Sequence, residues 1–223
     1  MPQHSGAQNG PRTLPLDGNF IHLLKTKVHH FGEGDYGEIE RAVQQLLKEN
    51  GATVASGTSS ASGVGIEAAP DWADEGSPKT YVGYRQAENF ASPERVRKDS
   101  TEEFNAPASL SLNHWALSGS WNVNAESAVL RLAPGRVFFR FHSRDLHFVL
   151  APPKNGAQIR FRVMLDGAPP GENAGVDTAP DGTGVVREPR LYQLIRQKGP
   201  IVDRRFEIEF LDPGVYAVDF TFG

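Results

Sequence analysis

From Leu110 to the C-terminus the apolar residues recur at every second position, and no other feature constrains the fold as much. Successive side chains of a strand point to opposite faces, so a period of two marks a strand with one covered face. Val137, Phe139 and Phe141 alternate with Arg136, Phe138, Arg140 and His142. Leu146, Phe148 and Leu150 alternate with Asp145, His147 and Val149. Ile159, Phe161, Val163 and Leu165 alternate with Arg160, Arg162 and Met164. Phe206, Ile208 and Phe210 flank Glu207 and Glu209, and Val218, Phe220 and Phe222 close the series. Turn signals separate the runs at Ser143-Arg144, Pro152 to Gly156, Asp166-Gly167 and Asp212-Pro213-Gly214. The pattern predicts a mainly β fold over residues 110–223, an antiparallel jelly-roll-like β-sandwich.

Upstream the signals differ. Residues 1–16 read as a disordered leader with no apolar h-region, so no secretory signal is expected and the sequence as it stands reads as cytoplasmic. Residues 17–51 read as a short strand, Phe20 to Val28, followed by a helix. Asp35 and Glu38 form a capping box, and Gly51 suits the position after the last turn. Ile39, Ala42, Val43, Leu46 and Leu47 then fall on one helical stripe. One strand and one helix cannot bury that stripe, so it packs on the C-terminal domain or on another chain. Residues 52–109 read as a linker and approach segment. Thr53 to Gly65 is small and polar, whereas Trp72, Tyr81, Tyr84, Phe90 and Phe104 need cover and suggest a segment wrapped on the sandwich.

Charge and composition remove several functions. The 223 residues carry a formal net charge of -4, which points to neither nucleic acid nor an anionic membrane. No apolar run approaches the roughly 18 residues of a membrane span. The chain has no cysteine. It therefore has no thiolate for thiol–disulfide exchange, no disulfide framework and no Cys-based zinc site. No cofactor is expected.

Several motifs together resemble a known family. These are Phe31-Gly32-Glu33-Gly34-Asp35-Tyr36 with its helix, Tyr81-Val82-Gly83-Tyr84, and Ala87-Glu88-Asn89-Phe90-Ala91-Ser92-Pro93. Leu112 to Gly119, Arg140 to Leu146, Leu191 to Arg196 and Phe206 to Gly214 continue the match. In this combination, over about Phe20 to Gly223, the chain resembles DipZ-type and redoxin-type thioredoxin-like proteins. The resemblance implies the tail of a thioredoxin-like domain followed by a carbohydrate-binding-module-like β-sandwich. It also implies a family setting outside the cytoplasm, often behind a membrane electron-transfer domain. The Cys-x-x-Cys unit of the family does not occur in this sequence, so no catalytic residue carries over and no enzymatic activity is expected.

Candidate ligand-binding residues are Trp115, Trp121, Arg140, His142 and Arg162. An exposed indole stacks on the apolar face of a sugar, and an arginine fork grips hydroxyls or a carboxylate. The alternative for the tryptophans is core packing, and for the arginines cross-strand pairing with Glu207 and Glu209. Tyr192 and Arg196 form a lesser pair. Glu172, Asp177 and Asp181 in a Gly-rich loop lack EF-hand spacing and read as an ordinary acidic loop. His29 and His30 point to opposite faces of a strand, so no metal site is expected there. Ser143, His142, Asp145 and His147 form a local cluster without a nucleophile elbow, and no triad is expected. The reading is a non-catalytic module for carbohydrate or another hydroxyl-rich ligand. Two alternatives stand beside it. One is docking on a thioredoxin-like partner, and the other is a structural or self-associating module, both through Ile39, Val43, Leu46 and Leu47.

Overall fold

The computed structural model describes residues 71–223. The expected leader, strand–helix unit, linker and Ile39/Val43/Leu46/Leu47 stripe lie outside the described residues. Ten strands follow in chain order: β1 (Thr80–Tyr81), β2 (Thr101–Phe104), β3 (Trp115–Val123), β4 (Ala128–Phe141) and β5 (Asp145–Ala151). Then come β6 (Ile159–Leu165), β7 (Thr183–Val186), β8 (Arg190–Arg196), β9 (Arg204–Phe210) and β10 (Tyr216–Phe222). All ladders between these strands are antiparallel. The fold is mainly β and sandwich-like, as the alternation predicts.

β4 organises the sheet. On one side it pairs with β3 along nearly its whole length. On the other side Gly135 to Phe141 pair with β9, whereas Ala128 and Val129 pair with β10. From β9 the order runs on to β6 and β7, and from β10 to β5 and β8. One strand thus belongs to two diverging layers. Their inner faces meet through aromatic rings. Phe220 of β10 lies 4.9 Å from Phe139 of β4, 3.8 Å from Phe148 of β5 and 6.1 Å from Phe206 of β9, ring centre to ring centre. The residues that the alternation turns inward on β4, β5, β6 and β9 are all buried, from Val137 and Phe139 to Ile208 and Phe210. Each such large side chain contributes about 1.5–3 kcal/mol through burial.

The sandwich begins before Leu110, which corrects the expected boundary. β1 pairs with β10, and β2 pairs with β3 from Thr101↔Asn122 to Phe104↔Gly119. Val82 and Phe104 are buried in the main core, and Phe90 packs on Trp115 with ring centres 4.6 Å apart. These strands have two and four residues, too few to show a period. Phe138 has outward parity yet is buried, because Leu110 and Ala116 cover it with Ala91 and Ala106 packed alongside. The segment before Leu110 is therefore a covering layer as well as a lead-in.

Candidate functional site

The register of β4 against β9 sets Arg140 directly opposite Arg205. Like charges so placed repel, and nearby carboxylates offset part of that repulsion. Arg140 Nη2 donates to Asp203 Oδ2 at 3.2 Å. Asp166 follows β6 in a left-handed turn, with φ of 53°. Its carboxylate lies 2.6 Å from Arg204 Nε and accepts the Arg205 backbone N–H at 2.7 Å. Arg205 itself has no carboxylate partner among the described residues. Its guanidinium lies 5.3 Å from the centre of the Phe138 ring. Nη1 reaches the Ala108 carbonyl at 3.5 Å, and Nε is buried without an acceptor. Ala108, Ser109, Leu110, Arg140, Asp166, Asp203 and Arg205 line an open pocket of about 230 Å³.

His142 adjoins this group. Its Nδ1 lies 2.8 Å from Asp203 Oδ1 and its Nε2 lies 3.3 Å from Asp74 Oδ1. Hydrogen bonds to Asp203 and then Asp74 raise its pKa above the ordinary imidazole value. Only the imidazolium donates from both ring nitrogens, so the protonated form satisfies both carboxylates. The lead-in chain is fastened at the same place. The Gly76 N–H donates to the His142 carbonyl at 2.8 Å, and the His142 N–H donates to Ser77 Oγ at 2.8 Å. Ser77 Oγ donates to Asn113 Oδ1 at 2.6 Å, and Asn113 Nδ2 donates to the Gly76 carbonyl at 3.0 Å. A side chain at Gly76 would bring a Cβ within 3.1 Å of His142 Cβ, so the approach is tight and a larger residue there requires His142 to shift slightly.

The structure brings together only two of the five candidate residues, Arg140 and His142. Trp115 and Trp121 have no exposed surface, which corrects the stacking assignment. Their indole N–H groups donate to the Glu88 and Ser118 carbonyls at 2.8 and 2.9 Å, so both rings are satisfied core. Arg162 is exposed on β6 opposite Glu209. That register puts it four residues along β9 from Arg205, about 13 Å away, and outside the pocket. Glu209 and Glu207 pair instead with Arg136, at 2.7 and 3.5 Å, while Arg140 pairs with Asp203 and Arg160 with Asp212, so the expected cross-strand partners are not the ones formed. Tyr192 is buried and its hydroxyl donates to the Glu188 carbonyl, while Arg196 faces Asp145 at 3.4 Å.

In the Gly-rich acidic loop, Asp177 and Asp181 have internal partners, whereas Glu172 is exposed. Asp177 accepts two bonds from Arg190, at 2.6 and 3.0 Å, and one from the Gln193 backbone. Asp181 accepts from the Thr183 hydroxyl and N–H, which hold its pKa below the usual carboxylate range. Ser143 is buried and donates to the Gly223 carbonyl, whereas His142 turns toward Asp74 and Asp203. Among the described residues no group of three or more His, Asp or Glu is arranged to hold a metal. No helix among them is long and apolar enough to cross a membrane. Sequence reasoning missed Asp74, Asp166, Asp203 and Arg205. The one available signal was the charged triplet Asp203-Arg204-Arg205 at the mouth of a predicted strand.

The model of the thioredoxin-like C-terminal domain matches residues 77–223, about two thirds of the chain. Its start agrees with Ser77, where the described lead-in is fastened to β4. Two relatives, both called Protein DipZ, come from Mycobacterium bovis and Mycobacterium tuberculosis. Each is 28% identical over 141 residues, covering 62% of this chain and 19% of the relative. The similarity thus spans about a fifth of those longer proteins. On the extent of the family match, the chain belongs to the family of thioredoxin-like C-terminal domains.

Proposed function

We propose that the chain is a non-catalytic binding module, and that the pocket between β4 and β9 takes a carbohydrate or another hydroxyl-rich ligand. The observation that carries this reading is the convergence of Arg140, Arg205, Asp166 and Asp203 on one open pocket. Hydroxyls both donate and accept, and this lining offers fixed donors beside fixed acceptors. The arginine fork presents parallel donors suited to vicinal oxygens. The absence of cysteine supports a non-catalytic role in a family named for thioredoxin. With Trp115 and Trp121 in the core, neither adds stacking energy at this pocket. Affinity is therefore expected near the millimolar range, about -4 kcal/mol.

A glycan array followed by calorimetry tests the reading. Selective binding of a glycan class is expected. Arg140→Met should weaken it about tenfold, the loss of roughly one charged hydrogen bond. Arg162→Met should leave it unchanged. Binding that survives Arg140→Met but not Arg162→Met would move the site to β6, and silence across the array would sink the module reading.

A second reading follows from a cysteine-free chain in this family. The chain would serve as an accessory unit docked on a thiol–disulfide enzyme through Ile39, Val43, Leu46 and Leu47. Adding it to a Cys-x-x-Cys thioredoxin-like domain should then change that domain's rate of disulfide reduction. Replacing Val43 and Leu46 by Asp should abolish the change.

A further inference from the structure

We infer that the ligand of the β4–β9 pocket carries a single carboxylate, as a uronic acid does, and that Arg205 receives it. This rests on the binding-module reading and adds the charge of the ligand to it. Every other charged group at the site has an opposite charge in contact. Asp166 meets Arg204 at 2.6 Å, and Asp203 meets Arg140 at 3.2 Å and His142 at 2.8 Å. Arg205 lines the pocket with no carboxylate partner among the described residues.

Its guanidinium is also short of acceptors and held in place. Nε is buried with none, and Nη1 has only the Ala108 carbonyl at 3.5 Å, the outer limit of a hydrogen bond. The Phe138 ring beneath it limits its solvation and its freedom. A half-buried, uncompensated cation is costly, and an anion that pairs with it offsets that cost. The outer nitrogens remain for an end-on, two-point grip on a carboxylate. The other lining groups limit the charge of the ligand. The carboxylates of Asp166 and Asp203 face the same space, so a phosphate dianion meets repulsion that a monoanion largely escapes. The open pocket, about 230 Å³, suits one small polar ring.

The test uses the full chain and calorimetric titration with galacturonate and glucuronate oligosaccharides, their neutral counterparts, and inorganic phosphate. Uronates are expected to bind at least tenfold tighter than the neutral sugars, with the advantage shrinking as salt rises. Arg205→Met should erase that preference, bringing uronate and neutral-sugar affinities to within about threefold of each other. Arg205→Lys should retain part of it. Ser109→Trp, at an exposed lining position, should block both ligand classes without touching the core, and a urea midpoint for Arg205→Met close to that of the parent chain separates lost preference from a folding defect. Equal binding of uronates and neutral sugars would overturn this inference and leave the module reading standing. So would a preference that survives Arg205→Met, or phosphate binding tighter than uronate. Binding of neither sugar class would remove both.

Discussion

His142 has a carboxylate at each ring nitrogen, Asp203 and Asp74, and Asp203 also receives Arg140. Because these bonds raise its folded pKa above the ordinary value near 6.5, the protonated ring is favoured in the folded chain. The stabilisation is fully present below that ordinary value and is lost as pH rises through the raised one. Urea midpoints measured between about pH 6 and about pH 8.5 should fall with pH, and His142→Gln should flatten the slope. Only part of the site was legible from single residues. Arg140 and His142 stood out because strong polar groups alternated with Phe139 and Phe141. Asp74 and Asp203 come from sequence positions 68 and 61 residues away, and only the closed sheet brings them to the imidazole. The tryptophans misled for a related reason. Burial and exposure of an indole look alike in sequence, and here Phe90 and the Glu88 carbonyl close off Trp115.

At the scale of elements, the lead-in behaves as part of the sandwich wall. After β1 the chain docks on the β3–β4 turn, where the Tyr84 and Arg85 N–H groups donate to the Asn124 and Ala125 carbonyls at 3.0 and 3.1 Å. Gly83 makes that approach possible, since a Cβ there would lie 2.3 Å from the Glu126 carbonyl carbon. Gly83→Ala should therefore cost about 1–3 kcal/mol of unfolding free energy, read from a urea titration. Arg85→Ala removes only an exposed ion pair with Glu126 and should cost under about 1 kcal/mol. The longer strands were legible because five or more alternating residues outweigh local noise. β1 and β2 were not, because their pairing energy comes from β10 and β3 rather than from any pattern of their own.

For the whole molecule, the same wall decides how much chain is needed to fold. A fragment of residues 110–223 lacks Val82, Phe90 and Phe104, so Trp115 and its neighbours would face water. It should aggregate or show no cooperative melt, whereas residues 77–223 should melt sharply by circular dichroism. The layered topology was foreseeable from the count of alternating runs, but the place where the layers part was not. It lies inside β4, whose two ends hydrogen-bond to β10 and β9. That shared strand also governs how the molecule fails. β4 holds β9 through seven residue pairs and β10 through only two, so the short β4–β10 ladder is the seam at which the two layers are expected to part first.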